Sequence, residues 1–179
     1  MPGQRQSWIF PYLEDPADAA AHRLGQSAPL RPAVIVRLSD RFPSTRIAAL
    51  VDSGSERCYA APGLAREIGV SLDNAVEVEI GLGGETRMAQ FVEVGIELFP
   101  SVFGGAEPPI ATWRAEVGFL ETWTPAWPVL LGQKGFFDQF TITMHRSVPA
   151  LAVEEWEAFD DRFGVQVETV DIRQPRFRP

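Results

Sequence analysis

Residues 77–82 (EVEIGL) and 88–98 (MAQFVEVGIEL) alternate polar and apolar side chains, with Gly83-Gly84 between them. A period of two puts one face of an extended strand on a core and the other toward solvent. Two such runs about a glycine pair predict an antiparallel hairpin, because glycine reaches the turn angles without strain. Other segments carry the same signature. Residues 33–38 (AVIVRL) and 46–51 (RIAALV) are apolar and rich in β-branched side chains. Residues 113–120, 129–132, 140–145 (FTITMH) and 165–172 (VQVETVDI) read as further short strands. Many short strands with few helices predict a mostly-β domain.

The helical signals are brief. Pro62 opens the run PGLAREIG and Gly69 closes it, with proline suited to a first turn and glycine to a C-terminal stop. Residues 135–140 are expected to form a second short helix. Leu151 to Phe163 places Val153, Trp156, Phe159 and Phe163 near helical spacing, and the acidic run over 154–161 reads as the solvated face of that helix. Pro2, Pro11, Pro16, Pro29 and Pro32 surround an alanine-rich patch at 17–24, which predicts an irregular N-terminal stretch with a helical turn or two. Pro43 marks a turn over 41–44. Loops are expected over 99–109, rich in Gly and Pro, and over 124–128.

The 179 residues suit one domain with extensions, and an apolar fraction of 45% supplies a core. Twenty-four acidic against 16 basic residues give a net charge of -8, a poor match for nucleic acid despite Arg173, Arg176 and Arg178 near the end. Cys58 is the single cysteine, which rules out an internal disulfide and a cysteine-based zinc site. The opening MPGQRQSWIFPYLEDP lacks the apolar stretch of a secretion signal, and no apolar run is long enough to span a bilayer. These features predict a cytoplasmic protein with no membrane partner.

Candidate chemistry begins at Asp52-Ser53-Gly54, which directly follows the apolar run IAALV. The ordinary reading is a strand ending in a turn, where all three residue types belong. A carboxylate at the edge of a core is costly unless it is partnered or protonated, however, and that gives Asp52 a second reading as a reactive group. Ser53 offers a hydroxyl to lock the loop, and Gly54 lets the backbone come close and donate its N–H.

Three segments in order, IAALVDSGSE, IGLGGET and VLLGQKGFFDQF, resemble the retropepsin-like aspartic peptidases, a family of retroviral proteases and bacterial relatives. The resemblance covers roughly residues 30–146, placing an N-terminal extension at 1–29 and a C-terminal helix-and-strand extension at 147–179. It implies an acid-protease half-barrel with one or two short helices. Asp52 would be catalytic, with Ser53, Gly54 and Ser55 supporting its loop. Gly81, Leu82, Gly83, Gly84, Glu85 and Thr86 would form a flap over an extended peptide, and Leu130, Leu131 and Gly132 would pack beneath the loop. No metal or cofactor is implied. The chemistry is a water held between two carboxylates that share a proton, with a mildly acidic optimum. The chain holds one such triplet, so the resemblance implies a homodimer with one Asp52 from each copy. Ser55 and the pair Gln133-Lys134 depart from the family's frequent Ala after the triplet and Arg or Asn after Leu-Gly, which leaves any arginine-based dimer ion pair unsupported.

Alternatives stand beside this reading. The fold would also serve a non-proteolytic binding or assembly module, or a precursor whose residues 1–29 must be removed. His22 and His145 read as surface residues rather than ligands. Cys58 reads as a buried structural thiol, since no activating partner is visible. Ser53 and Ser55 lack a Gly-x-Ser-x-Gly elbow, and the glycines at 81, 83 and 84 lack the lysine of a phosphate loop. Trp113, Trp123 and Trp127 read as core or interface packing before they read as a cleft lining.

Overall fold

The computed structural model describes residues 7–16, 23–25, 27–82, 84–100, 107–121, 123 and 126–155. Twelve strands and one α-helix are found among them. Strands β4 (Ala33–Ser39), β5 (Ile47–Val51), β6 (Cys58–Ala60), β8 (Glu85–Phe99), β9 (Ala111–Leu120) and β10 (Val129–Leu131) form a ring in the order β4-β5-β10-β6-β9-β8, and a β4–β8 pairing closes it. Strand β7 (Val76–Leu82) joins the ring through β8 alone. The mostly-β expectation therefore holds, and the ring closes into a barrel.

The short apolar runs follow from burial on two faces. Val51, Cys58, Ala60, Val117, Val129 and Leu131 face the barrel core, with Val36, Leu38, Ile96 and Leu98 completing it. The alternate residues Tyr59, Phe91, Leu120 and Leu130 form a second cluster with Leu50, Ile80 and Trp123 packed on it. A strand covered on both faces reads as continuously apolar rather than alternating. β8 is long enough to do two jobs. Its first half pairs with β7 in a hairpin, Val76↔Phe91 through Leu82↔Glu85. Its last part pairs with β4, Ile35↔Phe99 through Ser39↔Gly95.

Helix α1 (Pro62–Ile68) lies where the sequence predicts it. Proline stands in its first turn, Gly69 caps it at φ 72°, and Leu64, Ala65 and Ile68 are buried. β2 (Leu13–Glu14) and β3 (Leu30–Arg31) make a minor two-stranded ladder.

Three segments differ from the sequence reading. Residues within the expected irregular N-terminal stretch form strand β1 (Ser7–Pro11). The expected helix at 135–140 is instead a series of turns over 135–139 leading into a strand at Phe140; Phe137 N–H donates to Gly132 C=O at 3.4 Å and Asp138 N–H to Gln133 C=O at 3.2 Å. Phe136, Phe140 and Trp113 stack there with ring centroids 5.1–6.0 Å apart, and that aromatic packing decides the backbone path. The start of the expected 151–163 helix is strand β12 (Ala150–Glu155), between β1 and β11 (Phe140–His145). Leu151 and Val153 face the core at a spacing of two, and pairing on both sides supplies the backbone partners a helix would have found locally. Glu154 is accordingly buried, not on a solvated helix face, and accepts from Ser7 Oγ at 3.2 Å. The expected strand at 165–172, the remaining part of that helix, the patch at 17–22 and residues 101–106 of the expected loop lie outside the described residues. No helix among the described residues is long and apolar enough to cross a membrane.

Phe136 is fully buried and Ile9 is 64% exposed. Phe136→Ala is expected to cost about 3–5 kcal/mol in urea unfolding, and Ile9→Ala less than about 0.5 kcal/mol. Equal costs would show that the 132–140 turns do not belong to the core.

Candidate active site

Strand β5 ends at Val51, and the chain then turns at Asp52-Ser53-Gly54. β10 runs parallel to β5 on one side, Leu131↔Val51, and antiparallel to β6 on the other, Leu130↔Tyr59. That insertion lays residues 131–134 along 52–57. Asp52 N–H donates to Leu131 C=O at 3.0 Å, Gln133 N–H to Ser55 C=O at 2.9 Å, and Lys134 N–H to Glu56 C=O at 2.8 Å. Leu130 and Leu131 point to opposite sides, into the second cluster and the barrel core.

Gly132 makes this proximity possible. A Cβ there would sit 2.2 Å from the Arg57 carbonyl oxygen and 2.7 Å from that of Ser55. Both obstacles are backbone, so nothing flexible can yield. Gly132 N–H also donates to Cys58 Sγ at 3.4 Å, and Cys58 Sγ–H to Lys134 C=O at 3.4 Å. Burial pushes the Cys58 thiol from 9.0 up to about 11, so it is a structural group and not a nucleophile.

The loop holds its own carboxylate. Gly54 N–H donates to Asp52 Oδ1 at 2.9 Å, and Ser55 N–H to Asp52 C=O at 3.1 Å. The hydroxyl bond that locks the loop comes from Ser55, whose Oγ donates to Arg57 C=O at 2.8 Å. Ser53 is tied instead through its carbonyl, which accepts from Gln133 Nε2 at 2.8 Å.

A cleft of about 660 Å³ opens beside this loop. Asp52, Gly54 and Ser55 form one side, and Val78, Ile80 and Gly81 of β7 form the other. Tyr59 and Arg57 line it as well. Tyr59 meets Phe91 edge to face at 5.8 Å, and burial raises its phenol above the ordinary value. The Arg57 guanidinium lies 5.0 Å over the Phe91 ring, with Nη1 3.3 Å from Glu116 Oε2. Glu56 also lines the cleft, and the Lys134 ammonium holds its carboxyl below the usual range, in an exposed pair of little energetic weight.

The fold thus brings Asp52, Gly54, Ser55 and Gly81 to one cavity, with Leu130, Leu131 and Gly132 alongside the loop. Of the remaining hairpin residues, Gly84 has φ 85°, Glu85 pairs with Leu82, and Thr86 pairs with Gly81. Gly83 and the Leu82 side chain lie outside the described residues. Sequence reasoning missed Arg57, Tyr59 and Gln133. Tyr59 sits between Cys58 and Ala60 in an apolar strand, so only the sheet reveals which face it takes. Trp113 packs in the core and donates from Nε1 to Gly135 C=O at 2.6 Å. Trp127 is buried beside a separate apolar groove with Ile47 and Pro128, and Trp123 packs on the second cluster. His145 is exposed, its Nδ1 accepting from Val148 N–H at 3.3 Å, and His22 lies outside the described residues.

No protein-family model matches the sequence, and no curated protein does. Among solved structures 19 chains match. One is the crystal structure of a retropepsin-like aspartic protease from Rickettsia conorii, with a TM-score of 0.46 and 12% identity, over 87% of this chain and 97% of that one.

Two measurements test the local geometry. Gly132→Ala is expected to lose at least about 2 kcal/mol by overpacking against rigid backbone, whereas Gly81→Ala, which meets nothing within 4 Å, leaves the urea midpoint nearly unchanged. An unaffected Gly132→Ala would refute the tight contact. The raised Cys58 thiol favours the folded state fully below pH 9.0, and this contribution fades as pH rises toward about 11. Its loss amounts to about 3 kcal/mol. Cys58→Ala should therefore flatten the stability profile over that window, and an identical slope in both proteins would contradict a buried neutral thiol.

Proposed function

We propose that this protein is an aspartic endopeptidase that works as a homodimer, with Asp52 from each copy forming the catalytic pair. The observation that carries the reading is the Asp52 carboxylate at the side of a cleft whose opposite wall is a glycine-tipped hairpin. An acidic group at such a place suits a water shared between two carboxylates, one drawing its proton and the other polarising the peptide carbonyl. The chain has one Asp-Ser-Gly triplet, so the second carboxylate comes from a partner related by a two-fold axis.

The cleft also suits an extended peptide. β7 is the last strand of its sheet, so its outer edge has no strand partner among the described residues. An extended substrate would add to such an edge through backbone hydrogen bonds. Val78 and Ile80, with Tyr59, give its side chains an apolar wall. Gly81 to Thr86 would act as the flap, with Gly84 allowing the tight tip.

The test is peptide cleavage by purified dimer across a pH series. Activity is expected to peak in mildly acidic solution, because two close carboxylates resist being charged together. Asp52→Asn is expected to lower kcat by about 10²–10⁴-fold with the dimer intact by sedimentation. Undiminished cleavage by Asp52→Asn would reject the assignment, and so would full activity in a strictly monomeric protein.

A further inference from the structure

The bonds between residues 131–134 and the Asp52 loop are mostly backbone to backbone, and apart from the glycine needed at 132 they do not call for a particular side chain. The exception reaches Ser53. Gln133 Nε2 donates to the Ser53 carbonyl at 2.8 Å. That carbonyl belongs to the same peptide unit as the Gly54 N–H, which donates to Asp52 Oδ1 at 2.9 Å. A peptide unit is planar and stiff, so fixing its C=O fixes the direction of its N–H. The Gln133 amide, the Ser53–Gly54 peptide and the Asp52 carboxylate therefore form one chain of donors and acceptors, each link polarising the next.

We propose that Gln133 is a positioning residue that aims the Asp52 carboxylate through this single peptide. The proposal rests on the peptidase reading of Asp52 for its kinetic consequence, but not for its structural one. Ser53 is exposed, and among the described residues its bond to Gln133 is the hydrogen bond that holds it. Without that donor, the peptide rotates about its flanking single bonds and the Gly54 N–H leaves the carboxylate. The backbone bonds at Asp52, Ser55 and Glu56 remain, so the barrel itself is untouched.

The role requires a donor at this reach, which separates it from simple packing. Gln133→Met keeps the length of the side chain and removes the N–H groups. Gln133→Glu puts acceptors against an acceptor. Gln133→Arg restores N–H donors on a longer stem. Amide NMR of the intact protein reads the loop directly. In the parent, the Gly54 order parameter should lie near ~0.85, and in Gln133→Met and Gln133→Glu it should fall below ~0.6, with recovery in Gln133→Arg. The kinetic expectation is a kcat loss of roughly 10–10²-fold in Met and Glu, KM within about two-fold, and the same recovery in Arg. Melting temperatures should stay within a few degrees across the set.

An unchanged Gly54 order parameter in Gln133→Met overturns the proposal, whatever the kinetics. So does a kcat loss that follows melting temperature and that arginine fails to rescue. If Asp52→Asn proves as active as the parent, the peptidase reading falls separately, and the amide measurement alone decides whether Gln133 positions the loop.

Discussion

The backbone of Gly132 lies against the carbonyls of Ser55 and Arg57 with no space for a side chain. That contact lets β10 slide between β5 and β6 and run beside the loop that follows β5. Asp52, Ser55 and Glu56 then find backbone partners in residues 131–134, and Cys58 Sγ fills the space behind them. Larger residues at 132 would push the strand away, and the loop would lose its partners in water-exposed surroundings, where a lone turn has little to hold it.

A second consequence is the layering of the barrel. Its strands bury side chains inward, and over part of the wall they bury them outward too, beneath the β7–β8 hairpin. The outer cluster keeps Ile80 of β7 packed near Tyr59, so the hairpin stands over the loop. The cleft is the space left between them. Its apolar parts are continuous with a packed cluster, while its polar part is the turn that carries Asp52. This arrangement sets the Asp52 turn beside an apolar cluster at the side of the cleft.

Much of this was legible in the chain. The hairpin about Gly83-Gly84, the strand into Asp52 and the helix from Pro62 to Ile68 each follow from local periodicity and turn chemistry. Two expectations failed for a shared reason. The sequence predicts helices over 135–140 and 151–163, yet aromatic stacking settled the first and strand partners at Ser7–Pro11 and Phe140–His145 settled the start of the second. Those partners are distant in sequence, and local pattern cannot weigh them.

The sequence by itself determined the strand segments, the turn that bears the carboxylate and the glycines that permit close approach, because each depends on a residue and its near neighbours. Tertiary structure alone decided that residues 132–134 lie beside 53–57, that Tyr59 and Arg57 line the cleft, and that Gln133 reaches Ser53. The physical reason is that alternation tells which side chains share a face, but not which strand comes to lie next to it. Strand choice is a competition among all possible partners, settled by the closing of the whole barrel.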